Sequence, residues 1–380
     1  MTVIVAPDSF KGNMTAKEAA EEIQAGILSV IPDARVLLFP MADGGEGTAR
    51  VVTEAAGGTI VPVTVTGPLG EPVKAYFGQL REGKTVILDM ASASGLELLR
   101  PDQLNPMKTT TYGTGELIKA ALDTGAEELV IGIGGSATVD GGIGMLQALG
   151  FELLDEKGNP LGRGGEALLH IKEIRTNHAD PRIFTTSITV ACDVTNPLTG
   201  PDGAAAVFGP QKGASPEMVA LLDAGLAKLG EAWIRAGLAE DTNHPGDGAA
   251  GGLGAALRIC LRASVESGAQ LVMKHTGMLA ALSEADLVIT GEGRTDSQTR
   301  RGKVCAVIAR HCQAKGVPVA LLSGSLAGDP SQFFDLFDYA VSISTGESSL
   351  DTMLANGHRN LRFAASNLMR AIQLGKTFKN

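Results

Sequence analysis

Four polar, glycine-rich segments of the chain each follow an apolar run that predicts a β-strand. Open α/β sheets bind ligands beyond the carboxyl ends of their strands, so these segments are candidates for a site. The segments are Asp8-Ser9-Phe10-Lys11-Gly12, Asp43-Gly44-Gly45-Glu46-Gly47-Thr48, Asp193-Val194-Thr195-Asn196-Pro197 and Gly291-Glu292-Gly293-Arg294-Thr295-Asp296-Ser297. Phosphoryl transfer needs cations and Mg²⁺ to spread charge, carboxylates to hold the metal or accept a proton, and backbone amides near phosphate oxygens. The composition of the segments therefore favours phosphoryl transfer.

Each of these residues also has an ordinary structural explanation. Lys11 can be a solvated loop lysine, and Asp43-Gly44 is a common turn pair. An Asx-turn would explain Asp193, and a surface ion pair worth under about 1 kcal/mol would explain Arg294 with Asp296. The recurrence of such residues at the same predicted edge of a sheet favours the functional interpretation.

The two ends of the chain alternate strands with helices. Val3-Ile4-Val5-Ala6 predicts the first strand, and Thr15 with Glu18 forms a capping box that begins a helix. The alternation returns near Leu271. The predicted strands there are 287–289, 317–322 and 339–343, and the predicted helix is 303–315. This pattern predicts an α/β fold with a parallel sheet and helices on both of its faces.

The middle of the chain has a different pattern. From about residue 59, short β runs at 61–65, 73–77 and 85–88 are separated by glycine and proline turns with no helix between them. We therefore expect a second α/β domain, 63–270, inserted into a discontinuous first domain, 1–62 and 271–380.

The composition restricts partners and compartment. The net charge of −10 disfavours nucleic acid, whose binding needs a basic surface. The amino terminus lacks the features of a signal peptide, and no stretch approaches the ~18 apolar residues of a membrane span, so we expect a cytoplasmic protein without a membrane partner. The six histidines lack metal-ligand spacing. The four cysteines lack CxxC spacing and are expected to be buried, reduced thiols: Cys192, Cys260, Cys305 and Cys312.

One segment matches the P-loop pattern letter for letter but has the wrong context. It is Gly78-Gln79-Leu80-Arg81-Glu82-Gly83-Lys84-Thr85. A P-loop needs a helix after it, so that the first amides of the helix cradle phosphate, whereas Thr85 is followed by the β run Val86-Ile87-Leu88. The segment is therefore predicted to be a solvated hairpin turn.

A second segment, Gly132-Ile133-Gly134-Gly135-Ser136-Ala137, resembles the dinucleotide fingerprint. It follows a predicted strand and precedes an apolar helical segment, but it lies in the inserted domain, and the flanking 138–142 does not match a first βα unit. It leaves an NAD-dependent oxidoreductase of a small hydroxy acid as the alternative function. A non-catalytic sensor of small acids is a third possibility, which would bind its ligand without turnover.

Several unusual strings in one order make the chain resemble the bacterial glycerate kinases of the glycerate 2-kinase type, the glycerate kinase type-1 family. The resemblance spans nearly the whole length. The strings are APDSFKG at 6–12, ADGGEGT at 42–48, GTGEL at 113–117, IGGSATVDGG at 133–142, ACDVTNPL at 191–198, GAAAVFGPQKGA at 203–214, GAAGGLG at 248–254 and VITGEGRTDSQT at 288–299.

The resemblance implies ATP-dependent, Mg²⁺-assisted phosphorylation of D-glycerate, with 2-phosphoglycerate as the product of the commonest activity. It also implies a Rossmann-like domain interrupted by a second α/β domain, with the active site in the cleft between them. The partners would be ATP and D-glycerate. The oligomeric state stays open, a homodimer included.

Roles for individual residues are hypotheses that rest on motif position. Lys11 and Arg294 would contact substrate or phosphates, Asp43 or Asp193 would be the base for the acceptor hydroxyl, and Asp296 or Glu292 would hold Mg²⁺. Ser136 and Thr138, beside Gly134 and Gly135, would contact glycerate or phosphate from the inserted domain. Further substrate-binding or phosphate-binding positions are expected at Asp8, Ser9, Gly44, Gly45, Asn196, Gly291, Gly293 and Lys303.

Two positions depart from the family pattern. Asp247 stands where a small residue is expected, so its carboxylate is not expected to have a required role. Val304-Cys305 replaces the more usual small residue and proline after Lys303. A lysine in a first helical turn opposes the helix dipole unless an anion such as phosphate offsets it.

Overall fold

The structure, a computed structural model, describes residues 1–296, 303–344, 346 and 349–377. The chain folds into two compact units. The first unit combines Met1–Asp43 with Ala269–Asn380, and the second is Gly44–Gly268. Within the described ranges, no helix has both the length and the apolar character that crossing a membrane requires.

Strands and helices alternate along much of the chain, which confirms the predicted α/β class. The strands are β1 (Thr2–Pro7), β2 (Arg35–Leu38), β3 (Thr59–Thr66), β4 (Pro72–Leu80), β5 (Thr85–Asp89), β6 (Glu128–Gly132), β7 (Glu152–Leu154), β8 (Glu173–Arg175), β9 (Ser187–Ala191), β10 (Ser264–Glu266), β11 (Leu287–Thr295), β12 (Val319–Leu326) and β13 (Tyr339–Ser342). The α-helices are α1 (Ala16–Leu28), α2 (Thr48–Ala55), α3 (Ala91–Ser94), α4 (Tyr112–Asp123), α5 (Ile143–Ala148), α6 (Ala204–Phe208), α7 (Pro216–Arg235), α8 (Leu253–Leu261), α9 (Gly268–His275), α10 (Met278–Ala281), α11 (Val304–Lys315), α12 (Leu350–Ala355) and α13 (Gly357–Thr377).

The sheet of the first unit has the strand order β13-β12-β11-β1-β2, and each pairing in it is parallel. Val3, Ile4 and Val5 of β1 are all fully buried. Successive side chains of a strand point to opposite faces, so both faces of this sheet are covered. Parallel pairing also brings the carboxyl ends of β1, β11, β12 and β13 to one edge.

The predicted capping box of α1 is confirmed. The amide of Glu18 donates to Thr15 Oγ1 at 3.2 Å, and the amide of Thr15 donates to the Glu18 carboxylate at 2.8 Å. The helix then buries one face at helical spacing against the sheet core: Ala16, Ala19, Ala20, Ile23 and Ile27.

The second unit contains a mixed sheet with the order β10-β9-β6-β5-β4-β3. The strands β3, β4 and β5 pair antiparallel, as the consecutive β runs indicate, and β5, β6, β9 and β10 pair parallel. Its core includes the fully buried Trp233. The P-loop-like segment forms the end of β4, a tight turn with positive φ at Arg81 and Glu82, and the start of β5. It is a hairpin turn, as the sequence predicts.

The first boundary between the units lies earlier than the predicted 62/63. Residues 44–62 belong to the second unit because β3 pairs with β4 from Thr59 to Thr66. Helix α2 belongs there too, since its amide at Ala49 donates to Asp89 at the end of β5. The second boundary lies at 268/269, close to the predicted 270/271.

Candidate active site

A cavity of about 430 Å³ lies in the first unit, at the carboxyl ends of β1, β11, β12 and β13. Its lining divides into a charged part and an apolar part. The charged lining residues are Asp8, Lys11, Asp43, Glu292, Arg294 and Lys303, and the apolar ones are Phe10, Val304, Ile343, Leu350, Met353 and Leu354. A ligand with an apolar portion and an anionic portion fits this division.

The loop after β1 presents Lys11 to the cavity. On either side of it, Phe10 and Met14 are buried at 3% and 5% exposure and bridge through backbone hydrogen bonds of 2.9 and 3.0 Å. Gly12 has φ +75°, a conformation that favours glycine. The apolar anchors therefore hold a tight loop whose lysine remains exposed, and Asn13 secures it further by donating to Leu354 O.

Three carboxylates influence one another in the charged part of the cavity. Burial raises the pKa of Asp8 to about 7, and the charges of Asp43 and Glu292 add to the rise. The Ser9 amide, which donates to Asp8 Oδ1 at 2.7 Å, and the charge of Lys11 act in the opposite direction. The pocket thus concentrates negative charge that a bound cation would stabilise.

Cations flank these carboxylates. Arg294 projects from β11 with its side chain 69% exposed, and its Nε lies 3.6 Å from Asp296 Oδ2. Lys303 is the N-cap residue of α11, just before the first turn rather than within it, and its side chain makes no cap hydrogen bond. The positive end of α11 therefore faces the cavity together with lysine and arginine.

The cavity offers carboxylates of the kind that bind Mg²⁺. Among the described residues, no three His, Cys, Asp or Glu side chains are grouped as a ready metal site. Mg²⁺ keeps several waters and binds through one or two carboxylates plus substrate phosphates, so it does not need such a cage. Glu292 is 6% exposed, accepts from Thr295 Oγ1 at 2.9 Å and lines the cavity. Asp296 pairs with Arg294 and is not part of that lining.

The two predicted glycines of the first-unit site, Gly291 and Gly293, have different surroundings. A Cβ on Gly291 would lie 2.4 Å from Leu322 O, so this glycine allows β11 and β12 to pair closely. Gly293 lines the cavity, where a Cβ would lie 3.3 Å from the Lys11 amide. Only the second of these two positions therefore faces the space where a ligand would bind.

The remaining predicted glycines lie in the second unit and pack backbone against backbone. The Gly134 amide donates to Gly44 O at 3.4 Å, and a Cβ on Gly134 would lie 2.6 Å from Gly45 Cα. A Cβ on Gly135 would lie 3.2 Å from Ala91 Cβ. The segment at 44–47 and the loop after β6 are thus joined by contacts that side chains would prevent.

Asp89 holds the start of α2 in this arrangement. It is 1% exposed at the end of β5, and both of its carboxylate oxygens lie 3.1 Å from the Ala49 amide. The N-cap residue Gly47 has no side chain to cap the helix, so Asp89 supplies the missing acceptor. Asp89 is not among the predicted site residues, although an acid that ends an otherwise apolar strand was a signal for it.

Ser136 and Thr138 meet a buried lysine. Lys212 is 1% exposed, and its Nζ donates to Ser136 Oγ and, at 2.9 Å, to Thr138 O. Burial lowers the pKa of Lys212 to about 7, and the charge of the buried Asp140 opposes this shift. Lys212 is not among the predicted site residues, although it is the one charged residue in the glycine-rich string 203–214.

Asp193 and Asn196 also lie in the second unit. Asp193 Oδ1 accepts from the Gly268 amide at 3.3 Å, and Asn196 Nδ2 donates to Asp202 O at 2.8 Å. Asn196 thus stabilises the loop after β9. Neither residue lines the first-unit cavity.

The two departures from the family pattern have structural explanations. Asp247 is 1% exposed and accepts from Arg258 Nε and Nη2, each at 2.8 Å, so its carboxylate belongs to a buried ion pair. Val304 and Cys305 are buried at the start of α11. The four cysteines are free thiols, as predicted. Cys260, Cys305 and Cys312 are buried as expected, whereas Cys192 is only partly buried.

The structure brings together one subset of the predicted site residues. Residues 297–299, which end the last quoted string, lie outside the described residues. The predicted residues that share the first-unit cavity are Asp8, Ser9, Lys11, Asp43, Glu292, Gly293, Arg294 and Lys303.

Comparisons with known proteins show which family the chain resembles over its length. The model of the glycerate kinase family matches residues 3–373. A glycerate kinase of Bacillus subtilis strain 168 is 46% identical over 99% of both chains, and a glycerate 2-kinase of Escherichia coli strain K12 is 43% identical over 99% of both. The solved structure of a Salmonella typhimurium LT2 protein assigned as glycerate kinase 2 has a TM-score of 0.89, with 44% identity and 99% coverage of both chains. The chain therefore belongs to the glycerate kinase family.

Proposed function

We propose that this chain is an ATP-dependent kinase that phosphorylates D-glycerate to 2-phosphoglycerate. The observation that carries the proposal is the first-unit cavity, in which Asp8, Asp43 and Glu292 lie with Lys11 and Arg294. Carboxylates and cations at one sheet edge are what phosphoryl transfer needs. The name of the 43% identical relative, glycerate 2-kinase, supports the choice of hydroxyl.

The cavity would receive the nucleotide. Its apolar part, around Ile343, Leu350 and Met353, suits a flat apolar base, and its charged part suits the phosphates. Lys11 and Arg294 would neutralise phosphate oxygens there, helped by Lys303 and the positive end of α11.

The carboxylates would have two roles, binding Mg²⁺ and accepting the proton of the acceptor hydroxyl. Glu292 fits a Mg²⁺ ligand better than Asp296, because Glu292 lines the cavity. Bound Mg²⁺ would neutralise developing charge on the phosphates. Asp43 would accept the proton of the acceptor hydroxyl, and Asp193 is the second candidate for this role.

The acceptor acid would bind at the loop after β6. This part of the proposal assigns Ser136 and Thr138 to substrate contact. The glycines at 44, 45, 134 and 135 would shape the loop, and Asn196 would hold the neighbouring loop after β9. The proposal places the chain in the cytoplasm, with ATP and D-glycerate as its small-molecule partners.

The nicotinamide alternative gains no support from the geometry. In the dinucleotide fingerprint the glycine turn opens a helix directly. Here α5 begins at Ile143, well after Ala137. The space above Gly134 is also taken by the Gly45 backbone, so pyrophosphate has no close approach at this glycine.

Incubation of the purified protein with D-glycerate and MgATP tests the proposal. We expect release of ADP and a single phosphorylated product, whose position phosphorus NMR identifies. A parallel incubation with NAD should give no absorbance of reduced nicotinamide. Binding of D-glycerate without turnover of either cofactor would instead support a sensor.

A further inference from the structure

Lys212 is a buried cation to which the proposed reaction assigns no role. A lysine is almost never fully buried unless it is paired, yet this one is 1% exposed. Its backbone lies in the turn Pro210–Lys212, and the next residue, Gly213, has φ +89°. A Cβ on Gly213 would lie 2.4 Å from Leu104 O. The backbone is thus closely packed directly after the lysine.

The ammonium group is directed at the loop after β6. Its Nζ donates to Ser136 Oγ and to Thr138 O. The nearby buried acid, Asp140, already accepts from the amide and hydroxyl of Thr111, each at 2.8 Å. Lys212 therefore makes its direct hydrogen bonds with the loop rather than with the carboxylate.

The direction of these hydrogen bonds determines what Ser136 can do. While Lys212 is protonated, its ammonium group has three donors and no acceptor, so Ser136 Oγ accepts from it. The hydroxyl hydrogen of Ser136 then remains to be donated, and no hydrogen bond among the described residues uses it. Ser136 is 6% exposed, so an unused donor at this position has a desolvation cost that a ligand oxygen would remove.

A second hydroxyl on the same loop, that of Thr138, also lacks an acceptor for its hydrogen among the described residues. Thr138 is fully buried, and in the described ranges its Oγ1 has no hydrogen-bond partner. Buried hydroxyl groups usually have partners. Two hydroxyls without acceptors beside a buried cation indicate a place for an anionic oxygen.

We propose that Lys212 is a positioning residue for the acceptor acid. It holds Ser136 Oγ as an acceptor, so that the Ser136 hydroxyl donates to the carboxylate of a short hydroxy acid. This inference rests on the proposed function and adds the group that the loop recognises. A carboxylate is favoured over phosphate because the cations suited to phosphate, Lys11, Arg294 and Lys303, line the first-unit cavity.

The test compares Ser136→Ala, Lys212→Met and the double variant with the parent. Losing a hydrogen bond to a charged group costs about 1.5–3 kcal/mol, so each single variant should raise KM for D-glycerate about 10-fold or more while KM for ATP stays unchanged. The double variant should be no worse than the worse single variant, since Lys212 acts through Ser136. Lys228→Met is the matched control, because this exposed lysine also donates to a backbone carbonyl, Leu169 O.

Three outcomes would overturn the inference. They are an unchanged KM for D-glycerate in Ser136→Ala, additive effects in the double variant, and an equal rise of both KM values in Lys212→Met. If Lys212→Met does not fold, calorimetric binding of D-glycerate to Ser136→Ala decides the matter. A parent that binds D-glycerate without turnover contradicts the proposed function alone, and a parent that binds none contradicts both.

Discussion

The amide nitrogen of Asp8 lies 2.8 Å from the carbonyl oxygen of Gly291 and donates to it. This hydrogen bond continues the parallel pairing of β1 with β11 beyond the end of β1. It joins the loop that carries Lys11 to the segment that carries Glu292 and Arg294. Residues from opposite ends of the chain therefore line one cavity, and single substitutions can test their contributions.

Replacement of Lys11 by alanine should abolish most turnover without unfolding the protein. The side chain is exposed on a loop whose stability comes from Phe10 and Met14. Loss of one charge-stabilising group in an active site costs about 100-fold or more in kcat. Steady-state kinetics and thermal unfolding would measure both effects, with Lys17→Ala on α1 as the control. Full activity of Lys11→Ala would place the phosphate site elsewhere.

Asp43→Asn should lose turnover while the nucleotide still binds. An amide cannot accept the proton of the acceptor hydroxyl, but it preserves the size of the side chain. Single-turnover assays and calorimetric titration with ATP would separate the two properties. Asp33→Asn, at an exposed position of the same unit, should behave like the parent. Unchanged turnover in Asp43→Asn would leave Asp193 as the candidate base.

Glu292→Gln should raise the Mg²⁺ concentration needed for half-maximal activity. The neutral amide attracts the cation less than the carboxylate that lines the cavity. Asp296→Asn is the matched comparison and should change the Mg²⁺ requirement less, because its partner is Arg294. Magnesium titrations at saturating ATP would measure both. A larger effect at Asp296 would reverse the assignment.

Asp89→Ala should destabilise the protein by about 1–3 kcal/mol, because it leaves the Ala49 amide without its buried acceptor. Asp89→Asn keeps one carbonyl oxygen and should lose less. Urea unfolding measures the free-energy differences, and Asp102→Ala, in an exposed ion pair, is the control. Equal stability of Asp89→Ala and the parent would show that Asp89 does not support α2.

Lys212 should make the stability of the folded protein depend on pH. Burial lowers its pKa from 10.5 to about 7. Between these values the unfolded chain binds a proton that the folded chain does not, so stability rises with pH across this window. The stability of the parent relative to Lys212→Met should therefore increase from about pH 7 to about pH 9. Urea unfolding measures the difference in unfolding free energy between the parent and Lys212→Met. An equal difference at the two pH values would contradict the lowered pKa of Lys212.

The sequence by itself determined the features that depend on neighbouring residues. The apolar run Val3-Ile4-Val5-Ala6 predicted β1, and the Thr15 and Glu18 pair predicted the start of α1, because strand burial and helix capping follow from local spacing. The context of Thr85 was enough to reject a P-loop. Motif strings along the whole length also identified the family.

Tertiary structure alone decided which distant residues meet and how deeply they are buried. Ser136 and Lys212 are separated by 76 positions, and no local pattern relates them. The boundary at Asp43 depends on the pairing of β3 with β4, and the raised pKa of Asp8 depends on burial and on charges brought by other strands. Burial and electrostatic coupling are properties of the folded arrangement, so spacing along the chain does not determine them.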